Sequence, residues 1–205
     1  MGQYYRALVI DENNLPKKLH PGAFEEGVKL MEHAWIGNEF VDAVYTLIHN
    51  NPCQVAWIGD YSDEPYNRQV DAYAKAMPYI EFEVFYHYMF DDGATLTPDD
   101  FTGANWKRVG IDTKGMYLVN HDLKSYLDMA AYIQRSAVRS NGMRVWCANP
   151  LPLLTACGNG RGGGDFRGGQ GYEDIGTWAF HRIEYTDKIP QGYCEKDYCF
   201  IEASA

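Results

Sequence analysis

The sequence predicts an α+β fold in a single domain, with a largely antiparallel sheet and a few short helices. Three observations carry this. The chain has 205 residues, enough at roughly 100–200 residues per domain for one domain with its own core. Strand-like runs of β-branched and aromatic residues outnumber runs with a helical period. Those runs also follow one another without regularly interleaved helices, unlike the alternation of a parallel βαβ sheet.

Each element follows from local pattern. Gln3 to Asp11 carries Tyr, Leu, Val or Ile on both faces, as a strand covered on both sides does, and Asn13-Asn14-Leu15-Pro16 bounds it. A Pro21-Gly22 turn leads into a mixed stretch to Trp35 that reads as one or two short helices. Asn38 stands as an N-cap, with Glu39 and Asp42 placed to favour the positive end of the helix. Phe40, Ala43, Val44, Leu47 and Ile48 follow at helical spacing until Asn50-Asn51-Pro52 ends the run. Cys53 to Ile58 is a strand that breaks at Gly59, and a short helix around Val70–Met77 is stopped by Pro78.

From Tyr79 to Trp106 aromatic and acidic side chains mix without a period, and an insertion into the domain is expected at about 79–106. Met116–Asn120 and Ser125–Asp128 flank the polar turn His121-Asp122-Leu123-Lys124 as a β-hairpin. Ala130–Arg139 has helical character, and Asn141-Gly142 turns the chain into a strand at Arg144–Ala148, closed by Asn149-Pro150-Leu151-Pro152. Thr177–Tyr185 is a final strand before a coil-like tail.

Composition excludes several classes. With 46% hydrophobic and 15% aromatic residues, the chain is too apolar to stay disordered. No run reaches the roughly 18 apolar residues of a membrane span, and the start lacks the basic and apolar regions of a secretory signal. A cytoplasmic protein with no membrane partner, in a bacterial cell or a phage-infected host, is expected. The net charge of −10 makes non-specific nucleic-acid binding unlikely, because such binding depends on cationic side chains displacing counterions. The charge is uneven, with a balance of −8 over residues 51–100 and +4 over 101–150. An acidic face of this kind is either a solvated surface or a dock for a basic protein partner. The five cysteines, Cys53, Cys147, Cys157, Cys194 and Cys199, are odd in number and form no C-x-x-C pair. They read as reduced, mostly buried thiols, with no structural metal site.

Two segments carry the chemistry. Eight glycines fall between Gly158 and Gly171, with Asn159, Gly160, Arg161, Gly162, Gly163, Gly164 and Asp165 at their head. Glycine lets backbone N–H groups approach an anion closely, and an arginine adds a bidentate clamp. The order matches neither established phosphate-loop pattern. The alternative is a tight structural loop in which Asp165 or Asn159 bonds its own backbone. The second segment is the acidic corner Gly59-Asp60-Tyr61-Ser62-Asp63-Glu64, directly after a buried strand. Asp60 and Asp63 there suit hydroxyl groups or a hard cation, although Asp and Ser are common in ordinary turns. The six histidines show no metal-binding spacing; His33, beside Glu32 and Trp35, is the most interesting of them. No hydroxyl or thiol has a base near it in sequence.

The opening Met1-Gly2-Gln3-Tyr4-Tyr5, the Lys29-Leu30-Met31-Glu32-His33 segment, the Trp57-Ile58-Gly59-Asp60-Tyr61-Ser62-Asp63 corner and the block from Asn149 to Asp165 resemble a family of uncharacterised bacterial and phage proteins. Pro150-Leu151-Pro152-Leu153-Leu154-Thr155-Ala156 leading into the glycine run, then Gly176-Thr177-Trp178-Ala179, is the most distinctive part. The resemblance implies one fold for these segments and a prokaryotic or phage setting; it supplies no activity, cofactor or catalytic residue.

Two functions follow. One is a small protein binding an anionic, nucleotide-like molecule, with the loop and Arg161 on the anion and Asp60 and Asp63 on hydroxyls or a cation. The other is a phage-encoded inhibitor or interaction protein whose acidic, aromatic region from Tyr79 to Asp100 meets a basic partner.

Overall fold

The computed structural model describes residues 2–62, 87–91, 93–101, 110, 113–140, 144–158, 160 and 162–202. The expected insertion and the short helix around Val70–Met77 therefore lie largely outside the described residues.

The first strand, β1 (Tyr5–Ile10), folds back as a hairpin into β2 (Pro16–Leu19). Asp11 builds the turn, its Oδ1 accepting from the N–H groups of Asn13 at 2.9 Å and Leu15 at 3.1 Å, while Asn14 takes the left-handed φ of 57°. What reads in sequence as a boundary is thus a hairpin loop. β2 is polar in sequence because its Lys18 ammonium, though buried, reaches the Asp91 carboxylate and the Tyr88 carbonyl.

The long strand β3 (Cys53–Gly59) pairs antiparallel with β1 from Tyr5↔Gly59 to Ile10↔Gln54. The hairpin is present as β4 (Tyr117–Asn120) and β5 (Ser125–Asp128). β6 (Val138–Ser140) and β7 (Arg144–Trp146) form a small separate hairpin. β8 (Ala156–Cys157), β9 (Arg182–Thr186) and β10 (Cys194–Glu195) are the other strands among the described residues. The main sheet runs β10-β5-β4-β9-β3-β1-β2, and β8 lies parallel to the second half of β3. The α+β class and the mostly antiparallel sheet are as the sequence predicts.

β1 and β3 are apolar on both faces because both faces are covered. Ala7, Val9, Val55 and Trp57 join the larger core, and Leu8, Ile10, Ala56 and Ile58 alternate with them into a smaller one with Met89, Cys157, Ala179 and Phe180. The larger core is roofed by α2 (Glu39–Leu47), whose Phe40 ring meets Trp57 edge-on at 5.6 Å. Asn38 caps this helix, its Oδ1 accepting from the Val41 N–H at 3.2 Å. Asn38→Ala is expected to lower stability by about 1 kcal/mol in urea unfolding.

The remaining helices are short: α1 (Leu30–His33), α3 (Met129–Ser136) and α4 (Pro150–Leu154). The Asn149–Pro152 run, a terminator in sequence terms, instead starts α4. Asn149 Oδ1 accepts from the Leu151 N–H at 3.1 Å and the Tyr45 hydroxyl at 2.9 Å, and Pro150 fills the first turn, where no N–H is needed. All five cysteines are free thiols and all but Cys194 are buried. Burial pushes Cys53 up to about 11 and Cys147 up to about 12, leaving both poor nucleophiles at neutral pH. Among the described residues no helix is long and apolar enough to cross a membrane.

Candidate functional site

The acidic corner and the glycine run, about a hundred residues apart in sequence, leave the sheet side by side. β3 and β8 are parallel neighbours, in register at Trp57↔Ala156 and Ile58↔Cys157. Gly59 therefore ends β3, and Asp60 and Gly158 follow the carboxyl ends of two adjacent parallel strands. The start of the chain runs between them. Gly2 bridges Gly163, and the Asp60 N–H donates to the Tyr4 carbonyl at 3.0 Å. The Tyr4 N–H in turn donates to Asp60 Oδ1 at 3.0 Å.

Gln3, wholly buried, is the hub of this corner. A Cβ on Gly59 would fall 2.7 Å from Gln3 Cδ, one on Gly158 2.8 Å from Gln3 Oε1, and one on Gly162 2.6 Å from the Gln3 backbone nitrogen. Gly164, at φ +91°, would place a Cβ 2.6 Å from Lys29 Cδ. These glycines admit the N-terminal segment and Lys29 of the same chain, so their small size serves internal packing.

Asp165 fixes the loop. Its Oδ2 accepts from the Gly162 N–H at 2.8 Å, and the Asp165 N–H donates to the Gly162 carbonyl at 3.1 Å. The Arg167 guanidinium donates to the same carbonyl at 3.0 Å. This is the self-bonded structural loop that stood as the alternative in sequence. The Tyr5 hydroxyl lies 3.0 Å from both Asp165 Oδ1 and Gln3 Oε1. The Tyr5 phenol proton serves one of these oxygens at a time, Asp165 Oδ1 when that carboxyl is ionised and Gln3 Oε1 when it is protonated. Burial pushes the Asp165 pKa up to about 6, with nearby Asp60 adding to the rise and the hydrogen bonds from Gly162 and Tyr5 opposing it.

Of the residues singled out in sequence, Asp60, Gly160, Gly162, Gly163, Gly164 and Asp165 are thus gathered at one corner. Asp60, Gly160 and Gly163 are half-exposed, and Asp165 faces inward. Asn159, Arg161 and Asp63 lie outside the described residues. Gln3 and Tyr5 are the components sequence reasoning missed. They read as ordinary strand residues, and nothing in local spacing ties them to a loop some 160 residues on.

His33 is structural. Its Nδ1–H donates to the Gly27 carbonyl at 2.8 Å, and its Nε2 accepts from the Trp57 indole N–H at 3.0 Å. With both nitrogens occupied and the ring wholly buried, its pKa is lowered to about 4. Among the described residues no group of three His, Cys, Asp or Glu side chains is arranged to hold a metal ion.

The described part of the acidic, aromatic region turns back on its own chain. Arg6 lies over the Phe90 ring at 4.9 Å and donates to the Met89 carbonyl, Lys18 lies over Tyr88 at 5.1 Å, and Asp91 pairs with Lys18. Comparison with protein-family models, curated proteins and solved structures finds no match to the chain.

Proposed function

We propose that the chain binds a small anionic, nucleotide-like molecule at the corner formed by the glycine run and Asp60. The observation that carries this reading is the meeting of the two segments at the carboxyl ends of the parallel pair β3 and β8. Strand ends of this kind leave backbone groups and loop side chains pointing together, which is why parallel sheets bind ligands there. In this reading Arg161 and the loop N–H groups take the anion, and Asp60 accepts from hydroxyl groups of the same ligand. The buried Tyr5–Asp165–Gln3 trio holds the loop in shape and makes no ligand contact. Tyr88 and Phe90 face Lys18 and Arg6 of the same chain, which leaves the interaction-protein reading with less aromatic surface to work with.

Calorimetric titration with AMP, ADP, ATP and inorganic phosphate tests the proposal. Saturable binding weakened at least tenfold by Arg161→Ala is the expected result, a loss of about 1.4 kcal/mol or more. Asp60→Asn weakens only the ribose-bearing ligands. If none of the four binds, or Arg161→Ala changes nothing, this reading is wrong.

A further inference from the structure

The turn after β4 holds a second group of titratable side chains, at the other end of β3. Asn120 pairs with Ile183, which pairs with Cys53, so this row lies six residues down β3 from Gly59, roughly 20 Å at the strand rise.

Here three separate segments bring together a carboxylate, an imidazole and a phenol. His121 Nε2 lies 2.9 Å from Glu184 Oε2 on β9, and His121 Nδ1 lies 3.1 Å from the Tyr193 hydroxyl in the tail. The tyrosine ring meets the imidazole at 74° with centroids 5.8 Å apart. An ionised carboxylate only accepts, so in the neutral imidazole Nε2 carries the proton and donates to Glu184. That leaves the Nδ1 lone pair facing Tyr193, whose hydroxyl must donate to it. The phenol proton is therefore aimed at a base whose tautomer and orientation a carboxylate fixes. This is the relation between nucleophile, base and orienting group found in covalent catalysis.

The group is within reach of solvent. The His121 and Glu184 side chains are 18% and 16% exposed, and Tyr193 is half-buried. The adjacent cation is already engaged, since Asp122 Oδ1 accepts from Arg182 Nε at 3.0 Å and Nη2 at 2.9 Å. His181, two residues before Ile183, lies 3.0 Å from the Asn120 amide. With Glu184 and Asp122 both acidic and Arg182 paired, the surroundings favour an uncharged electrophile over a phosphate.

We propose that Tyr193 is a nucleophile for acyl transfer from uncharged activated carboxylic esters, with His121 as its base and Glu184 as a positioning residue. In the step, Tyr193 Oη bonds to the ester carbonyl carbon while its proton passes to His121 Nδ1. The carbon–oxygen bond to the leaving group then breaks, and His121 returns the proton to the departing oxygen. The product is an O-acyl tyrosine. This site is independent of the anion-binding corner.

Stopped-flow mixing of the full chain with 4-nitrophenyl acetate, followed by peptide mass mapping, tests it. The expected result is a burst of 4-nitrophenolate equal to one per chain, with the acetyl group on Tyr193. Tyr193→Phe removes the label while keeping the ring, and His121→Asn slows the burst roughly 10²-fold or more. Glu184→Gln keeps a hydrogen-bond acceptor but removes the charge, so a merely structural role leaves the burst rate unchanged. The proposal expects a burst slowed about tenfold or more, with the acetyl group still on Tyr193. Circular dichroism confirms that each variant is folded. Acetylation only at lysines or the N-terminus, or Tyr193 labelling at an unchanged rate in His121→Asn, overturns the assignment.

Discussion

Gly162→Ala is expected to destabilise the fold by about 3 kcal/mol, at the upper end of single substitutions. The new methyl would sit 2.6 Å from the Gln3 backbone nitrogen and 3.0 Å from its Cα. Those atoms belong to the main chain leading into β1, so they cannot swing aside as a side-chain tip does. Relief requires the loop to part from residues 2–3, which breaks the Gly2–Gly163 bridge and exposes the Tyr5–Asp165 contact. Gly115→Ala is the control. Gly115 has φ +70° with nothing within 4 Å of a Cβ, so it loses only the backbone preference, about 1 kcal/mol. Urea unfolding of the two variants separates the effects; equal midpoints for both would mean that the loop does not press on Gln3.

Asp42→Asn is expected to raise stability at pH 8 by about 2–4 kcal/mol and to flatten its alkaline decline. Asp42 is wholly buried on α2, and neither carboxyl oxygen has a hydrogen-bond partner among the described residues. Tyr45 and Gly110 pack around it. Burial, then repulsion from Glu39, pushes its pKa from 3.8 up to about 8. The native state therefore keeps a proton that the unfolded chain has released, and stability falls as pH rises from about 4 to about 8. His33 acts in the opposite sense. Its pKa, lowered from 6.5 to about 4, makes stability fall as pH drops through that window. Between pH 4 and 6.5 His33 opposes both Asp42 and Asp165, whose pKa raised to about 6 also makes stability fall as pH rises toward that value. Above 6.5 the decline belongs to Asp42, at about 1.4 kcal/mol per pH unit. Chemical unfolding at pH 6.5, 7.25 and 8 measures it. An equal slope in wild type and Asp42→Asn would place the titrating group elsewhere.

The parts of the fold legible in the sequence were those whose signals are local. Asn38, with the apolar residues behind it, announces α2, and the polar turn at His121–Lys124 announces the β4–β5 hairpin. β2 escaped notice because its buried Lys18 is neutralised by Asp91, some seventy residues away. α4 escaped because Pro150, a breaker in most positions, is a good first helical residue behind an Asn cap. The candidate corner was half legible. Glycine abundance marks a place where chain passes close to something, but composition does not say whether that is an anion or Gln3. The His121–Glu184–Tyr193 group left no trace in sequence, since its members meet only after three segments are folded together.

The shared edge of β3 has a bearing on how the chain reaches this structure. One side of β3 is taken by β1, a local partner; the other is divided between β9 at Cys53-Gln54 and β8 at Trp57-Ile58. Those partners follow β3 by about a hundred residues or more, so a nascent chain ending before residue 156 has neither of them to pair with that side of β3. An unpaired edge is a template for pairing with another chain, and closing it requires loops of about a hundred residues, which slows folding. Truncation before residue 156 is therefore expected to raise self-association relative to the full chain.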